Sequence, residues 1–207
     1  MTQHSSDVDL VYIDLCAALE DFNAARHSPR QVRRTLSRYV ELSQRLTATM
    51  RRDFSSRKGK KWEATSFTAW TAKTELLKYL RNQDQHADQV FITVHDRHYY
   101  DVPDDVEIAG IPGRQFVIDG VWQMTDQTQD RPPEGLEVRL SDRGVRPPAG
   151  QLLLPTKTES WYEFYPRNNE QKNRFTKAQA TDVHAFTSDT FATLSAYYEH
   201  YKHAVDA

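Results

Sequence analysis

An arginine, an asparagine and a histidine stand close together at Arg81, Asn82 and His86, where the apolar run in LLKYLRNQDQH ends. These side chains suit the cleavage of a phosphodiester. When the 2′-hydroxyl of RNA attacks the adjacent phosphate in line, it must lose a proton, and the departing 5′-oxygen must gain one. An imidazole with an unperturbed pKa near ~6.5 serves either step at neutral pH, which fits His86. The Arg81 guanidinium offers a planar fork of donors to the phosphorane oxygens. Asn82 and His86 stand at i and i+4. They share a helix face, so the amide can orient the imidazole or hold a phosphate oxygen. Such a step needs no metal.

The helix that carries these residues limits how they meet. At about 100° per residue, Arg81 falls roughly 20° from Trp70 and roughly 40° from Leu77, with Thr74 on the same side, so it continues their stripe. A guanidinium on an apolar stripe is expected to find a partner, because burying it alone is prohibitively costly. Arg81 and His86 are separated by about 140° and by about 7.5 Å of rise, so one straight helix holds them apart. Either the helix loosens near Gln83, or a second copy of the chain brings the two kinds of residue together across a two-fold axis. The expected place for the trio is an interface cleft. The plainer roles are an Arg81 that caps helix carbonyls and a His86 on the surface past the helix end.

The segment YLRNQDQH resembles the Arg-x4-6-His signature of the HEPN superfamily, in which apolar residues precede the arginine and a polar residue, often asparagine, follows it. Arg81, Asn82 and His86 match it at the four-residue spacing. The resemblance covers about 14 residues and implies an α-helical bundle that pairs as a homodimer. It implies a metal-independent, cofactor-free endoribonuclease with those three residues as its catalytic set, since many members have that activity. Others are non-catalytic, which keeps open a dimeric binding or scaffold protein. It also allows a toxin–antitoxin or defence role and an inhibitory protein partner. The β-prone segment that follows the motif departs from the family pattern.

Charge is unevenly distributed. The net charge is −2, yet residues 26–61 hold 12 Lys/Arg against Glu41 and Asp53, so that stretch is +10 and the remainder −12. A basic helical segment on a mildly acidic chain points to an anionic partner, with nucleic acid the natural candidate. Arg51, Arg52, Arg57, Lys58, Lys60 and Lys61 are its densest part and are the expected RNA-backbone contacts. The same pattern also describes a solvated helix face followed by a Lys/Arg-rich turn.

Hydrophobic residues make up 38% and charged residues 27% of the 207, which fits a globular protein. No apolar run approaches the length of a membrane span. MTQHSSDVDL lacks a basic start and an apolar signal-type core, and one cysteine, Cys16, excludes an intrachain disulfide, so a cytoplasmic location is expected.

The elements that must position the trio follow from periodicity. The first helix is expected over Val8–Ala25, with Leu10, Val11, Ile13, Leu15, Ala18 and Leu19 on its apolar face. Ser28 and Pro29 open a second helix that runs to about Phe54 and buries Val32, Leu36, Tyr39, Leu42, Leu46 and Met50. SSRKGKK is a turn centred on Gly59, and a third helix follows from about Trp62 to near Gln85. Beyond it VFITV, QFVIDGVW, LEVRL, QLLL and WYEFY read as strands, and eight of the nine prolines lie past residue 100, which argues against helix there. A last helix is expected from about Ala178 to Val205. The predicted architecture is mainly α: an up-and-down bundle of about four helices with a small antiparallel β insertion. Its parts are 1–89, an insertion over 90–175, and a closing helix in 176–207, forming one domain.

Other constellations carry less. His95 and His98 are expected on opposite faces of a strand with no clear third ligand, and His200 and His203 on a solvated helix face, so no metal site is expected. WYEFY reads either as a base-stacking platform or as a strand with Trp161, Glu163 and Tyr165 on one face and Tyr162 and Phe164 on the other. No glycine-rich phosphate loop or local Ser–His–Asp signature is present, and nothing supports a small-molecule enzyme.

Overall fold

Five helices and two small antiparallel sheets make up the computed structural model, which describes residues 7–25, 28–62, 71–85, 91–101, 115–124, 136–137 and 152–206. The fold is mainly α-helical with a small antiparallel β insertion, as the sequence pattern predicts. The helices are α1 (Asp7–Ala24), α2 (Pro29–Lys58), α3 (Ala72–Gln85), α4 (Asn169–Ala178) and α5 (Val183–Asp206). The strands are β1 (Phe91–Asp101), β2 (Gln115–Met124), β3 (Leu136–Glu137), β4 (Leu152–Leu153) and β5 (Lys157–Tyr165). No described helix is long and apolar enough to cross a membrane.

α2 is the common partner of the helices. Pro29 at its first position presets the backbone angle, while Ser28 stands at the cap without a side-chain hydrogen bond. The expected apolar residues from Val32 to Met50 are all buried. The helix continues past Phe54, because Arg57 and Lys58 favour its C-terminal dipole and Gly59 closes it at φ 65° with its N–H on the Ser55 carbonyl, 3.0 Å away. Part of SSRKGKK is therefore helix, not turn. On α1 the core face is Val8, Val11, Leu15, Ala18 and Phe22. Leu10 and Ile13, expected inside, are exposed. Five residues spaced by three and four hold the inner face, and neither Leu10 nor Ile13 falls in that register.

Trp62 precedes residues 63–70, so the part of the third helix expected there, including Trp70, lies outside the described residues. Thr71 opens α3: its N–H donates to Thr74 Oγ1 (2.9 Å), and that hydroxyl donates back to the Thr71 carbonyl (2.7 Å). The closing helix expected from about Ala178 begins at Val183, and a further helix, α4, precedes it. Asn168 caps α4 by accepting from the Gln171 N–H (2.9 Å), Gln179 ends it at φ 51°, and Asp182 caps α5 by accepting from the Ala185 N–H (2.6 Å).

The main sheet has the order β2-β1-β5, all antiparallel, and β3 pairs with β4 separately. Alternation sends Ile92, Val94, Tyr162 and Phe164 into one hydrophobic core with the helices. Phe164 meets Phe186 edge-on at 5.4 Å, and the Phe164 N–H donates to the Thr181 carbonyl (2.9 Å), so β5 is fastened to the start of α5. The α5 tyrosines lock the bundle. The Tyr198 hydroxyl donates to Asp9 on α1, and that of Tyr201 to Asp53 on α2. Tyr39 reaches from α2 to the Thr187 carbonyl (3.2 Å) and Thr190 Oγ1 (3.0 Å) of α5.

Burial pushes the Tyr39 hydroxyl up to about 12. Its neutral form is favoured in the folded state, so its contribution is complete below the unfolded value near ~10 and is lost as pH rises through the folded one. Chemical denaturation followed from pH 9 to 12 is expected to show stability falling above about pH 10. Tyr39→Phe is expected to flatten that decline by on the order of 2 kcal/mol. An unchanged slope in the variant would remove Tyr39 as the titrating group.

Candidate functional site

Arg81 occupies the last turns of α3, and its setting differs from the expected one. Thr74, Leu76, Leu77 and Leu80 form the buried side of the helix, while Arg81 and Asn82 are exposed. Arg81 falls between Thr74 and Leu77 in angle, but it follows Leu80, the last buried side chain described on the helix, so it stands past the packed turns where water can still solvate the guanidinium. His86 lies outside the described residues.

A groove of about 390 Å³ runs between α2 and α3, and Arg81 lines it. Arg45 and Arg51 come from α2, Lys78 from α3, and the carboxylates are Glu41 and Glu75. Four cations against two carboxylates leave a surplus of positive charge in a concave, solvated space. Such a groove draws anions by concentrating the field. Its local origin is helix periodicity: Glu75, Lys78 and Arg81 follow at intervals of three on α3, and Glu41, Arg45 and Ala48 share one face of α2.

The six expected RNA contacts divide. Arg51 lines the groove with Arg81. Burial pushes the Tyr197 hydroxyl up, and the Arg51 guanidinium beside it acts in the opposite direction, so Arg51 also serves the core. Arg57 forms an ion pair with Asp53 (2.8 Å) and thereby supports the carboxylate that receives Tyr201. Arg52, Lys60 and Lys61 are exposed and Lys58 is half-buried, and none of the four lines the groove. Arg45 and Lys78 are the site cations that the run of basic residues alone did not single out. Their signal is the three-and-four spacing toward Arg51 and Arg81.

The remaining candidates serve the fold. His95 stacks on Trp161 at 5.1 Å with Nε2 3.2 Å from Glu163, and His98 is on the opposite face with Nδ1 3.1 Å from Thr158 Oγ1. No group of three or more His, Cys, Asp or Glu among the described residues is placed to hold a metal ion. Tyr162 and Phe164 point inward and Tyr165 outward, as strand alternation requires. Arg97 lies 5.6 Å over Trp161 and pairs with Asp119 (2.7 Å), so the polar groups of that outer face are engaged with one another. Burial pushes the Cys16 thiol up, which suits an unreactive side chain.

No protein-family model, curated protein or solved structure matches the chain.

Because Arg81 is solvated and Leu77 is buried, the two should respond oppositely to truncation. In urea denaturation Arg81→Ala is expected to change stability by less than about 0.5 kcal/mol, and Leu77→Ala to cost about 2–5 kcal/mol. A loss above about 2 kcal/mol for Arg81→Ala would show the guanidinium packed in the core and contradict this setting.

Proposed function

We propose that the chain is a HEPN-like, metal-independent endoribonuclease that acts as a homodimer. The observation that carries this reading is the exposed Arg81 guanidinium on a groove whose other cations are Arg45, Arg51 and Lys78. A cation already in water can turn its donors to a phosphate without leaving a core. In the proposed step His86 of one copy takes the 2′-hydroxyl proton, O2′ bonds to phosphorus, and the bond from phosphorus to O5′ breaks. His86 of the other copy gives a proton to O5′. Arg81 donates to the non-bridging oxygens, and Asn82 orients an imidazole or an oxygen. The same resemblance supports a defence or toxin role held in check by an inhibitory protein.

A second reading, a non-catalytic dimeric binding protein, draws on Glu41 and Glu75, whose carboxylates in the groove oppose a phosphate. Incubation of the wild type with a mixed RNA pool and a chelator separates the two. The nuclease reading expects cleavage that Arg81→Ala and His86→Ala each lower by about 100-fold or more. Absence of cleavage by the wild type favours the binding protein. Lys78→Ala is expected to weaken RNA binding and to lower the slope of log affinity against log salt by about one. An unaltered slope would place the RNA elsewhere.

A further inference from the structure

The groove beside Arg81 holds more than a phosphate needs. Its four cations suit a sugar–phosphate backbone, yet Glu41 lines the same space and its carboxylate repels phosphate. Glu41 and Arg45 stand at i and i+4 on α2 with the acid nearer the N-terminus, the order that favours an ion pair along a helix. Among the described residues neither side chain has an ion-pair or hydrogen-bond partner. Both are exposed, so the two acceptor oxygens of one and the donor fork of the other are open to a ligand. The same face continues through Ala48, whose methyl group lies between the longer Arg45 and Arg51 and gives the groove a small apolar floor. Glu75, the other carboxylate, already has a partner.

These parts fit a nucleotide better than other occupants. A bare phosphate uses the cations and leaves Glu41 opposed to it. A metal cation or a basic peptide is repelled by Arg45, Arg51, Lys78 and Arg81. A nucleobase brings a flat apolar face for Ala48 and N–H donors for the carboxylate, and about 390 Å³ is room for one. The bases differ in what they show a carboxylate. The Watson–Crick edge of guanine places N1–H and N2–H side by side, one for each oxygen of Glu41, with O6 next to them to accept from Arg45. Adenine, cytosine and uracil each set a ring nitrogen or carbonyl acceptor beside their donor, so one carboxylate oxygen would meet a lone pair. Glu41 precedes Arg51 by about 15 Å of helix rise, so the base it meets lies further along the strand than a phosphate held at Arg51.

We propose that Glu41, with Arg45 beside it, reads guanine in the bound strand and makes the groove selective for RNA with a guanine near the scissile phosphate. The inference rests on the ribonuclease reading and deepens it by naming the base that the substrate carries. Glu41 takes no part in breaking the bond. It sets which strand is held while the cations hold the backbone, and its charge lowers the affinity for every strand that lacks the matching donors.

Binding of strands that cannot be cleaved tests it. The probes are 2′-deoxy strands of thymine carrying one central guanine, inosine, adenine or cytosine, with all-thymine as the fifth, titrated with the full chain by fluorescence anisotropy. The guanine probe is expected to bind about tenfold more tightly than the adenine, cytosine and thymine probes. Inosine, which lacks the N2 donor, should fall between them. Glu41→Gln sets a donor beside an acceptor, so it should lose the guanine preference and favour adenine. Glu41→Ala should lose the preference while binding the other probes at least as tightly, because a charge that opposes phosphate is gone; a misfolded variant would bind every probe less well. Equal affinity of the wild type for all probes, binding to none of them, or a guanine preference that survives both substitutions would overturn the proposal. RNA cleavage that ignores guanine would sink the base reading and leave the chemistry of Arg81 and His86 standing. A guanine preference in a protein that cleaves no RNA would sink only the nuclease reading.

Discussion

Removing a guanidinium from water without a partner costs several kcal/mol, and that constraint fixes where α3 leaves the core. The helix buries Thr74, Leu76, Leu77 and Leu80 and then turns Arg81 outward one residue later. The apolar stripe supplies the rigidity, and its end supplies the position. Arg81 thereby joins Arg45, Arg51 and Lys78 around one groove, where the like charges repel each other and Glu41 and Glu75 offset part of that repulsion. The remaining positive surplus is what a bound anion would neutralise.

The same periodicity governs both sides of α2. Its inner positions, from Val32 to Phe54, meet α1, α3 and α5, and its outer positions are left to arginine. Tyr39 and the α5 tyrosines then tie the helices through buried hydroxyls. The sheet contributes to this arrangement and is not an appendage: Ile92, Val94, Tyr162 and Phe164 share the helical core, and β5 is bonded to the segment that opens α5. The insertion therefore helps set the bundle that holds the groove.

Much of this was legible in the residues. The α2 stripe, the five strands, the shared face of Tyr162 and Phe164, and the packing role of Tyr197, Tyr198 and Tyr201 all follow from period and turn chemistry. The misreadings have local causes. α4 was hidden because its ten residues hold only Phe175 and two smaller positions, Gln171 and Ala178, toward the core, too few to mark a helical stripe. Its signal was the cap Asn168 at its start, with Asp182 opening α5 after it. Leu10 and Ile13 were placed inside by hydrophobicity alone, when the register had already filled the inner face. Arg81 does continue the stripe in angle, between Leu77 and Thr74, but it follows the last described packed turn of α3 and so stays in water. Arg45 and Lys78 emerged only once α2 and α3 were set side by side, since their partners are distant in sequence.

The central claim is that Arg81, Asn82 and His86 act on RNA through the 2′-hydroxyl. The most direct measurement is of the ends left on an RNA cleaved in the presence of chelator, beside the same RNA carrying a 2′-deoxyribose at the scissile position. The account predicts 2′,3′-cyclic phosphate and 5′-hydroxyl ends and an uncut deoxy-substituted strand. Ends bearing 3′-hydroxyl and 5′-phosphate, or equal cleavage of the deoxy-substituted strand, would contradict it.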